Sequence, residues 1–518
     1  MKILSLNQIK KMDQYCIDYE SISSIHLMER AARSCFNWII NHPYFTSINI
    51  PFIILSGNGN NGGDGLCLAR MLHLHGYTVS VYIINISNSL SKDFLISKKK
   101  ALRYGVELKN IYEGDQFPTP LLNNKKDIYL IDAIFGVGYN RPIKSRYWKY
   151  FFYHINKNKF KYVISIDIPS GLFMEKNNNN FDTIIKANYT LSFQTPKIPF
   201  LLPNFVDYVG EWYLLDIGWD NIFLQKMNTK NILVDKTYIR NYLFNNKRKK
   251  FSHKGNYGHG IIIGGSYGMI GSIALSGEAV LRSGIGKLTI FIPNCGYDII
   301  QNLVPEAIVK TNGDKYLNEI VVHDDGINAI CIGMGMSKNS ETINALENFL
   351  KNNKKNSIPM VIDADAINIL SDRIDLLNFL PKNTIITPHP KEFNRLFGLW
   401  KNEYHKLNIL RKSSKKYKIF IVLKGAHSII CTPKGVLYFN STGNPGMSTA
   451  GSGDILSGII MSFLSQGYSP KKSCIIGVYL HGLAGDIGSK KYSEQSVISR
   501  DINKCIGKAF SNILKYEI

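Results

Sequence analysis

The length, composition and charge of the chain limit what kind of protein it is. With 518 residues it is long enough for two or three domains, each with its own core. No apolar run approaches the roughly 18 residues that a membrane-spanning helix needs, and the N-terminus lacks the long apolar centre of a signal peptide. We therefore exclude a membrane protein and expect a cytoplasmic one.

The formal charge of +23, from 62 Lys and Arg against 39 Asp and Glu, would suit nucleic-acid binding. The lysines are spread along the chain among many Asn and Ile residues, as drift in an A- and T-rich genome produces, and no nucleic-acid-binding motif accompanies them. We therefore expect no nucleic-acid partner, and a salt-sensitive attraction for anionic nucleotides. The eight cysteines are scattered without a Cys-x-x-Cys pair, which argues against a zinc site or a disulfide framework.

The first part of the chain predicts a βαβ unit with a glycine-rich first turn. The predicted elements are a helical stretch at 5–40, a buried strand at 51–56, a helix at 66–75 and a strand at 79–84. Doubly wound folds hold nucleotides at such a turn, which here spans residues 57–65. It is not the dinucleotide fingerprint, because Asn60, Asn61 and Asp64 place side-chain ligands in the turn.

Two further predicted strands end in carboxylates, Asp132 and Asp167, and Ser170 follows the second. The carboxyl ends of parallel strands share one crevice, so these three residues and Asn61 are expected to converge. Oxygen ligands without Cys or His suit a hard cation. The alternative is that these aspartates cap turns and the glycines only make bends.

Four segments in matching order resemble the YjeF N-terminal family, the NAD(P)HX epimerases, and the likeness extends to about residue 220. The four segments are residues 27–32, 59–65, 132–142 and 165–171. The resemblance implies a Rossmann-like doubly wound domain, which we place at residues 1–224.

The same resemblance assigns roles to individual residues. Potassium would bind Asn61, Asp132 and Ser170, and Asp167 would transfer the proton during epimerisation at the hydrated ring carbon. Lys197 is a weaker candidate partner, since a surface lysine is the commoner case. The residues expected to bind the hydrated nucleotide are Asn60, Asn61, Gly62, Gly63, Asp64, Gly136, Val137, Gly138, Tyr139, Asn140, Arg141, Pro142 and Asp167.

Residues 219–256 lack sustained strand alternation and contain a basic run at 247–250. We interpret this segment as a solvated linker or surface face and place the domain boundary within it, before residue 225.

The second half predicts a parallel sheet covered on both faces, because its strands are apolar without alternation. The expected strands are 287–292, 329–332, 360–362, 384–386 and 420–423, followed by a hairpin that turns at 433–435. The turns after these strands carry polar residues and are expected to lie on one ligand-binding edge. There we expect His389 to contact a ligand and Lys424 to face a nucleotide phosphate, while Asp363 and Asp365 either order neighbouring loops or contact ligand.

A small-residue loop at 443–450 leads into a helix that begins near residue 451 and buries one broad apolar face. Its first turn, Gly-Ser-Gly-Asp at 451–454, is an anion site of the kind that helix N-termini provide. Asp454 either takes a proton from the hydroxyl that attacks a bound phosphate or merely caps the helix. The local sequence leaves both interpretations open.

The second half is similar to the YjeF C-terminal family, the NAD(P)H-hydrate dehydratases of the ribokinase-like superfamily. The matching segments are 253–258, 363–368, 387–392, 423–426, 443–447 and 451–454. The chain departs from the family at Ser452, where the family has Thr, and at residues 333–336, where Gly-Met-Gly-Met replaces Gly-Pro-Gly-Leu. The likeness implies a ribokinase-like α/β/α domain, which we place at residues 225–518.

Together the resemblances imply a bifunctional isomerase and lyase that repairs hydrated NADH and NADPH. The first domain would interconvert the R and S hydrates, and the second would dehydrate the S form at the expense of ADP, giving AMP and phosphate, or of ATP. The alternative is a small-molecule kinase fused to a nucleotide-binding sensor or assembly domain.

The expected cofactors are K⁺, Mg²⁺ and ADP or ATP. The expected small-molecule partners are NADHX, NADPHX and ADP. We also expect the protein to form a homo-oligomer. Asp454 would be the catalytic base of the dehydratase. Its hydrate site would comprise Ser272, Gly335, His389 and Asp454, and its nucleotide site Lys424, Gly425, Ala426, His427, Ser428 and Gly453.

Overall fold

The computed structural model describes residues 1–87, 89–122, 127–178, 180–244, 248–322, 326–353 and 358–514. The chain divides into two compact units, Lys2–Thr229 and Lys230–Ile518, and Met1 groups with the second. In the part of the chain described, no helix has both the length and the apolar character needed to cross a lipid bilayer.

The first unit is a seven-stranded parallel sheet with helices on both faces, as the βαβ pattern predicts. Its strands are β1 Phe52–Ser56, β2 Val79–Ile84, β3 Glu107–Ile111, β4 Tyr129–Ala133, β5 Tyr162–Ile166, β6 Tyr189–Phe193 and β7 Glu211–Leu215. Its helices are α1 Leu6–Glu20, α2 Ser24–Asn41, α3 Asn60–Leu74, α4 Lys92–Arg103, α5 Thr119–Leu122, α6 Arg146–Lys157, α7 Val206–Val209 and α8 Asn221–Lys226. The strand order is β3-β2-β1-β4-β5-β6-β7.

The centre of this sheet separates two hydrophobic clusters. Phe52 and Ile54 of β1 belong to one cluster, whereas Ile53 and Leu55 belong to the other. Alternate residues of a strand point to opposite faces, so an uninterrupted apolar run is what a strand covered on both faces requires. The chain proceeds from β1 to β2 on one side and returns to β4 on the other, which makes the β1–β4 edge the switch point where such folds bind ligands.

The helix after β1 begins at Asn60 and not at residue 66, so the expected loop is largely the first turns of α3. Glycine disfavours helix interiors, but here it permits close packing. A Cβ at Gly62 would lie 1.8 Å from the carbonyl oxygen of Gly57, and one at Gly65 would lie 2.7 Å from the Ala133 Cβ. Tertiary packing against β1 and β4 therefore outweighs the local preference.

The second unit is a ten-stranded sheet covered by helices, an α/β/α arrangement. Its strands are β8 Asn231–Val234, β9 His259–Ile263, β10 Lys287–Ile292, β11 Ile308–Thr311, β12 Ala329–Ile332, β13 Met360–Ile362, β14 Ile385–Ile386, β15 Phe420–Leu423, β16 Ile429–Cys431 and β17 Leu437–Asn440. Its helices are α9 Lys236–Phe244, α10 Ile270–Arg282, α11 Tyr297–Leu303, α12 Ser340–Asn353, α13 Ala364–Asp372, α14 Pro390–Phe397, α15 Glu403–Tyr417, α16 Ser452–Ser465, α17 Pro470–Tyr492 and α18 Ser499–Leu514. The strand order is β11-β10-β9-β12-β13-β14-β15-β16-β17-β8.

The strand predictions for this unit are confirmed. Four of the five predicted strands have the observed bounds, and β14 lacks only Thr384. The hairpin also forms, because β16 pairs antiparallel with both β15 and β17. The other neighbours in the sheet pair in parallel, and the switch point lies between β9 and β12.

The interpretation of residues 219–256 as a solvated linker or surface face is wrong for the part that folds into a strand and a helix. Strand β8 lies in this segment and forms the edge of the second sheet, with Asn231 opposite Leu437 of β17, and helix α9 follows it. A four-residue edge strand shows too little pattern to be recognised, since a partner far along the chain defines it. Of the basic run, Lys247 lies outside the described residues, and residues 248–250 are exposed.

Helix α16 is buried on almost every side rather than on one face. Small polar residues make this possible: Ser457 donates a hydrogen bond to the Gly453 carbonyl, and Ser462 donates to the Val280 carbonyl. Gly458 allows close contact with α10, because a Cβ there would lie 2.6 Å from the Ser276 carbonyl oxygen. The body of α16 is therefore packed closely against α10.

We expect Gly62→Ala to destabilise the first unit by about 1–3 kcal/mol, because the new methyl group would meet backbone that cannot move aside. Gly59→Ala is the matched control, since a Cβ at Gly59 meets nothing within 4 Å. Urea denaturation followed by tryptophan fluorescence reports on this unit, which holds Trp38, Trp148, Trp212 and Trp219. Equal stabilities of the two variants would contradict the packing role of Gly62.

Candidate functional site

A cavity of about 590 Å³ opens in the first unit at the carboxyl ends of β1 and β4, the switch point of the sheet. Helix α1, the start of α3 and the loop after β4 form its wall. The structure brings eight of the predicted substrate-binding residues to this wall: Asn60, Asn61, Asp64, Gly136, Val137, Gly138, Tyr139 and Asp167.

Five other predicted residues do not line this cavity. Gly62 and Gly63 are buried in α3, where their missing side chains admit the Gly57 carbonyl and the Met28 side chain. Residues 140–142 are exposed outside the wall. Tyr139 N donates a hydrogen bond to Gly136 O at 3.0 Å and closes a turn. The part of this loop that faces the cavity ends with that turn. For Gly62 and Gly63 the structure shows a packing role.

Asp167 is held tightly at the cavity wall. Its Oδ2 accepts the Val137 amide at 3.1 Å, and its Oδ1 lies 3.2 Å from the Lys197 ammonium. Its φ of +68° is in the left-handed region, which residues other than glycine seldom occupy outside functional sites. These contacts fix the carboxylate and compensate its charge.

Lys197 is buried, with 1% of its surface exposed, so the expectation of a surface lysine is wrong. Its Nζ donates to Ser192 Oγ at 2.7 Å and to the Phe193 carbonyl at 2.9 Å. A lysine is retained inside a protein only when it is paired and hydrogen-bonded. The ion pair with Asp167 therefore compensates the buried charge of Lys197.

Asp132 and Ser170, two of the three predicted cation ligands, are in contact. Oδ2 of Asp132 accepts Ser165 Oγ at 2.7 Å and the Ser170 amide at 2.8 Å. Complete burial raises the pKa of Asp132, and the hydrogen bonds from Ser170 and Ser165 reduce that effect. Asp132 lies opposite Ser165 in the parallel pairing of β4 and β5, so the sheet register builds this contact.

Asn61, the third predicted cation ligand, has a side chain whose oxygen and nitrogen are both buried without a hydrogen-bond partner among the described residues. A buried amide left unpaired costs about 1–3 kcal/mol, which a ligand would recover. Gly136 lies between the Asn61 and Asp167 side chains, because a Cβ at Gly136 would lie 3.3 Å from the Asn61 Cβ and 3.1 Å from the Asp167 Oδ2. Asn61, Asp132 and Ser170 carry oxygen donors of the kind that a hard cation prefers.

Asp13 of α1 also lines the cavity, and the sequence analysis missed it. Its Oδ1 accepts the indole N–H of Trp219 at 3.0 Å. Ile9, Asp13 and Ile17 are spaced four residues apart on one helical line, and all three line the cavity. A charged residue on an apolar helix face was the available signal.

In the second unit, α16 starts with Gly451 in the left-handed region, at φ +87°, as its N-cap residue. Asp454 therefore lies in the first turn and is not the cap, which removes the capping interpretation. Burial raises the pKa of Asp454 to about 7, and the neighbouring Asp363 carboxylate adds to the rise. A hydrogen bond from Ser272 and the charge of Lys424 partly offset both effects.

Lys424 lies at the end of β15 and reaches the start of α16. Its Nζ is 2.8 Å from Asp363 Oδ1, and a Cβ at Gly453 would lie 3.2 Å from that ammonium. Burial lowers the pKa of Lys424, but the carboxylates of Asp363 and Glu392 more than compensate and raise it overall. The other oxygen of Asp363 accepts a hydrogen bond from Ser457 at 2.5 Å. A fixed positive charge therefore stands beside the backbone amides of the helix start.

Residues 425–428, predicted to bind nucleotide, form the loop that follows Lys424. Gly425 and Ala426 are exposed, and the Ser428 hydroxyl closes the loop on the Gly425 carbonyl at 3.2 Å. The ring nitrogen Nδ1 of His427 lies 2.8 Å from the Asn440 carbonyl oxygen. This loop shares the carboxyl edge of the sheet with Lys424.

Ser272 and Gly335 are neighbours, since a Cβ at Gly335 would lie 3.3 Å from the Ser272 Cβ. Met334 and Met336, which replace the family's Pro and Leu, are fully buried. Both methionine side chains therefore pack in the hydrophobic core. Asp365 orders the adjacent loop, because its Oδ2 accepts the Ser337 amide at 2.9 Å.

His389 is the N-cap of α14, where its Nδ1 accepts the amides of Lys391 and Glu392 at 3.1 and 3.2 Å. Burial and the nearby Lys424 charge lower its pKa, so the ring is neutral at physiological pH. The ring is 43% exposed. Its capping role is established, and its other ring nitrogen is 3.5 Å from Glu392 Oε1.

Two further residues that the sequence analysis missed come from α17. Asp486 accepts the Gly443 amide at 3.1 Å and the Asn444 side-chain amide at 2.9 Å, which holds the loop before α16. His481 lies 3.3 Å from the Ser452 hydroxyl, and burial lowers its pKa to about 4. Both lie inside a long helix without a local motif, so no sequence signal marks them.

Comparisons with known proteins match each half of the chain to the family that its sequence motifs resemble. A family model described as YjeF-related protein N-terminus matches residues 24–198, and one described as NAD(P)H-hydrate dehydratase matches residues 261–508. The bifunctional NAD(P)H-hydrate repair enzyme Nnr of Dictyoglomus turgidum is 31% identical over 534 residues, covering 99% of each chain. The enzyme of the same name from Coxiella burnetii is 30% identical over 517 residues, covering 97% of this chain and 98% of its own.

Among solved structures, the second unit resembles the ADP/ATP-dependent NAD(P)H-hydrate dehydratase from Bacillus subtilis co-crystallized with ATP/Mg²⁺. The identity is 29%, the TM-score is 0.47, and the match covers 54% of this chain and 98% of that one.

We expect Ser272→Ala to raise the pKa of Asp454 above its value of about 7, because the lost hydrogen bond favours the charged carboxylate. Ser276→Ala, one helical turn later on α10, is the control, since the Ser276 hydroxyl has no hydrogen-bond partner within the described ranges. Carboxyl ¹³C NMR of labelled aspartate gives the titration, and the Asp454→Asn spectrum assigns the resonance. An unchanged or lower pKa in Ser272→Ala would refute this description of the site.

Proposed function

Because the chain belongs to the family of bifunctional NAD(P)H-hydrate repair enzymes, we propose that its two units act in turn on nicotinamide nucleotides damaged by water addition. The first unit interconverts the R and S hydrates of NADH and NADPH. The second dehydrates the S form with consumption of ADP, giving AMP and phosphate. The chain is thus an isomerase and a lyase in one polypeptide.

For the first reaction, the supporting observation is the Asp167–Lys197 ion pair in the wall of a nucleotide-sized cavity. Asp167 takes the proton from the hydroxyl on the hydrated ring carbon. The Val137 amide and the Lys197 ammonium orient the carboxylate for this transfer. Asn60, Asn61, Asp64 and the loop 136–139 bind the hydrated nucleotide at the cavity wall.

Potassium would be held by Asn61, Asp132 and Ser170. The unpartnered buried amide of Asn61 and the oxygen-only donor set support this assignment. A bound cation would supply positive charge against the buried Asp132 carboxylate and the anionic nucleotide.

For the second reaction, the supporting observation is Asp454 in the first turn of an amide-lined helix start, with a pKa of about 7. Hydroxide is a poor leaving group, so the hydrate's hydroxyl is first phosphorylated. Asp454 removes the hydroxyl proton, and a base whose pKa lies near the working pH is well matched to that task. The amides at 451–453 and the Lys424 ammonium stabilise the charge of the transferring phosphoryl group.

The phosphate then departs with its bonding electron pair while a proton leaves the neighbouring ring carbon, which restores the ring double bond. Ser272, Gly335 and His389 line the hydrate side of this site. The nucleotide side comprises Lys424, Gly425, Ala426, His427, Ser428 and Gly453.

Magnesium would enter with the nucleotide, bound by phosphate oxygens and water, as Mg²⁺ usually is. Both oxygens of Asp363 are already engaged, by Lys424 and Ser457, so we do not assign the ion to that carboxylate. We also propose that the protein is a homo-oligomer in the cytoplasm.

The alternative, a small-molecule kinase fused to a sensor or assembly domain, is not favoured, because relatives that match over the whole chain are bifunctional repair enzymes. A kinase would accumulate a stable phosphorylated product without regaining reduced nicotinamide.

We expect Asp454→Asn to lower the dehydration kcat by about 10²–10⁴-fold, because the amide cannot accept the hydroxyl proton. Recovery of reduced-nicotinamide absorbance from S-NADHX and ADP measures dehydration. Epimerisation by the same variant is the internal control and is expected to be unchanged.

The pH profile gives a second readout of the same residue. A base with a pKa of about 7 is protonated below that pH, so wild-type kcat/KM for dehydration rises as the pH rises through 7. Loss of both activities in Asp454→Asn, or of neither, would contradict the assignment.

We expect K⁺ to stabilise the first unit against urea by about 2.7 kcal/mol at a hundredfold excess over its Kd, because it binds only the folded site. Tryptophan fluorescence measures this, with tetramethylammonium as the inert salt. Asn61→Ala removes one ligand and should reduce the effect. Equal stabilisation by both salts would rule out the site.

A further inference from the structure

Asp13 is a carboxyl group in the epimerase cavity to which no role has yet been given. It lies on α1 with four neighbours of that helix in the wall of the cavity that Asp167 also lines. Its Oδ1 accepts the indole N–H of the buried Trp219 at 3.0 Å. Its Oδ2 receives no hydrogen bond from any residue that the structure describes. The side chain is thus anchored by one oxygen only.

Asp13 and Asp167, two of the four carboxyl groups in the cavity wall, have different electrostatic surroundings. Asp167 has an ammonium 3.2 Å away, whereas Asp13 forms no ion pair within the described part of the chain. Burial raises the pKa of Asp13 to about 6, the Trp219 hydrogen bond reduces the rise, and the negative charge of Asp167 adds to it. The more distant Lys197 has a small lowering effect. Asp13 therefore keeps its proton to higher pH than an exposed aspartate does.

Other titratable groups also face this position. Burial raises the pKa of Asp64 well above its ordinary value, and Asp167 and Asp13 contribute to that rise. Burial likewise raises the pKa of the Cys16 thiol to about 11, with a small contribution from Asp13. The remaining charged residues of the cavity wall are Lys10 on α1 and Asp93 on α4. None of them forms an ion pair with Asp13 among the residues described.

The substrate's chemistry needs two proton-transfer groups. The hydrated ring carbon carries a hydroxyl and is bonded to the ring nitrogen. Its configuration is inverted if the carbon–nitrogen bond opens and closes again on the other face. Opening requires a base for the hydroxyl proton and an acid for the nitrogen. A pair of carboxyl groups whose environments differ is the usual way in which proteins supply both.

We infer that Asp13 is the general acid of the epimerase and acts together with Asp167. Asp167 takes the hydroxyl proton, the oxygen forms a carbonyl bond to the ring carbon, and the electrons of the carbon–nitrogen bond pass to the nitrogen. The nitrogen takes the proton of Asp13. After rotation of the aldehyde the steps reverse, so that both protons return and no co-reactant is consumed. The inference rests on the proposed epimerase function.

Asp13→Asn tests the inference in the full-length chain, because an amide oxygen still accepts the Trp219 N–H but cannot donate a carboxylic proton. With separated R- and S-NADHX as the probe, chromatography of the two epimers gives the rate. We expect a fall in epimerisation kcat of about 10²–10⁴-fold and partial recovery in Asp13→Glu. Asp18→Asn, an exposed aspartate on the same helix, is the matched control and should match the wild type.

The pH profile separates an acid from a merely structural residue. Wild-type kcat/KM for epimerisation should fall as the pH rises above about 6, where Asp13 loses its proton. This fall at higher pH, the alkaline limb of the profile, should be absent in Asp13→Asn. Trp219→Phe keeps the carboxyl but removes the hydrogen bond that lowers its pKa, so the limb should move to higher pH. This second variant serves if Asp13→Asn fails to fold.

The outcomes distinguish this inference from the proposed function. A wild-type rate in Asp13→Asn, or a slower rate with the alkaline limb unchanged, overturns the role of Asp13 while leaving the epimerase intact. A limb that stays in place in Trp219→Phe also overturns it. If the wild-type chain itself does not equilibrate the two hydrates, the proposed epimerase function fails.

Discussion

Both units hold a lysine paired with an aspartate at the carboxyl edge of the sheet, and both proposed sites are built around such a pair. Lys197 lies 3.2 Å from Asp167, and Lys424 lies 2.8 Å from Asp363. Loss of one partner from such a pair leaves an uncompensated charge and costs about 3–5 kcal/mol. The first pair therefore fixes Asp167, and the second holds Lys424 beside the helix start that carries Asp454.

The two units distribute these charges differently, and the difference suits the roles proposed for them. In the first unit, the lysine pairs with Asp167, the proposed base, and lies 3.2 Å from its carboxylate. In the second unit, the lysine pairs with Asp363, and burial beside that carboxylate raises the pKa of Asp454, the proposed base, to about 7. One arrangement gives a positioned carboxylate, and the other gives a base that titrates near neutral pH.

Sequence alone predicted the strands of the second unit well, because strands covered on both faces are apolar runs bounded by turns. Its expectation that strand ends meet at one edge is confirmed for the contact of Asp132 with Ser170 and for Asn61 and Asp167, which line one cavity. It could not predict edge strand β8, the early start of α3 or the burial of Lys197, since tertiary partners far along the chain decide all three. Asp13 differs from these three, because its place on the apolar face of α1 was a signal in the sequence that was not used.

Glycine-rich helix starts occur in both units, yet they serve different physical purposes. In α3, neighbouring atoms occupy the space that a side chain would need, since a Cβ at Gly62 would lie 1.8 Å from the Gly57 carbonyl oxygen. In α16, Gly451 adopts a left-handed turn, and Gly453 faces the Lys424 ammonium. The same residue type thus packs a helix onto a sheet in one unit and leaves backbone amides beside a cation in the other. The Lys424 ammonium adds a fixed positive charge to the anion site that the helix start already provides.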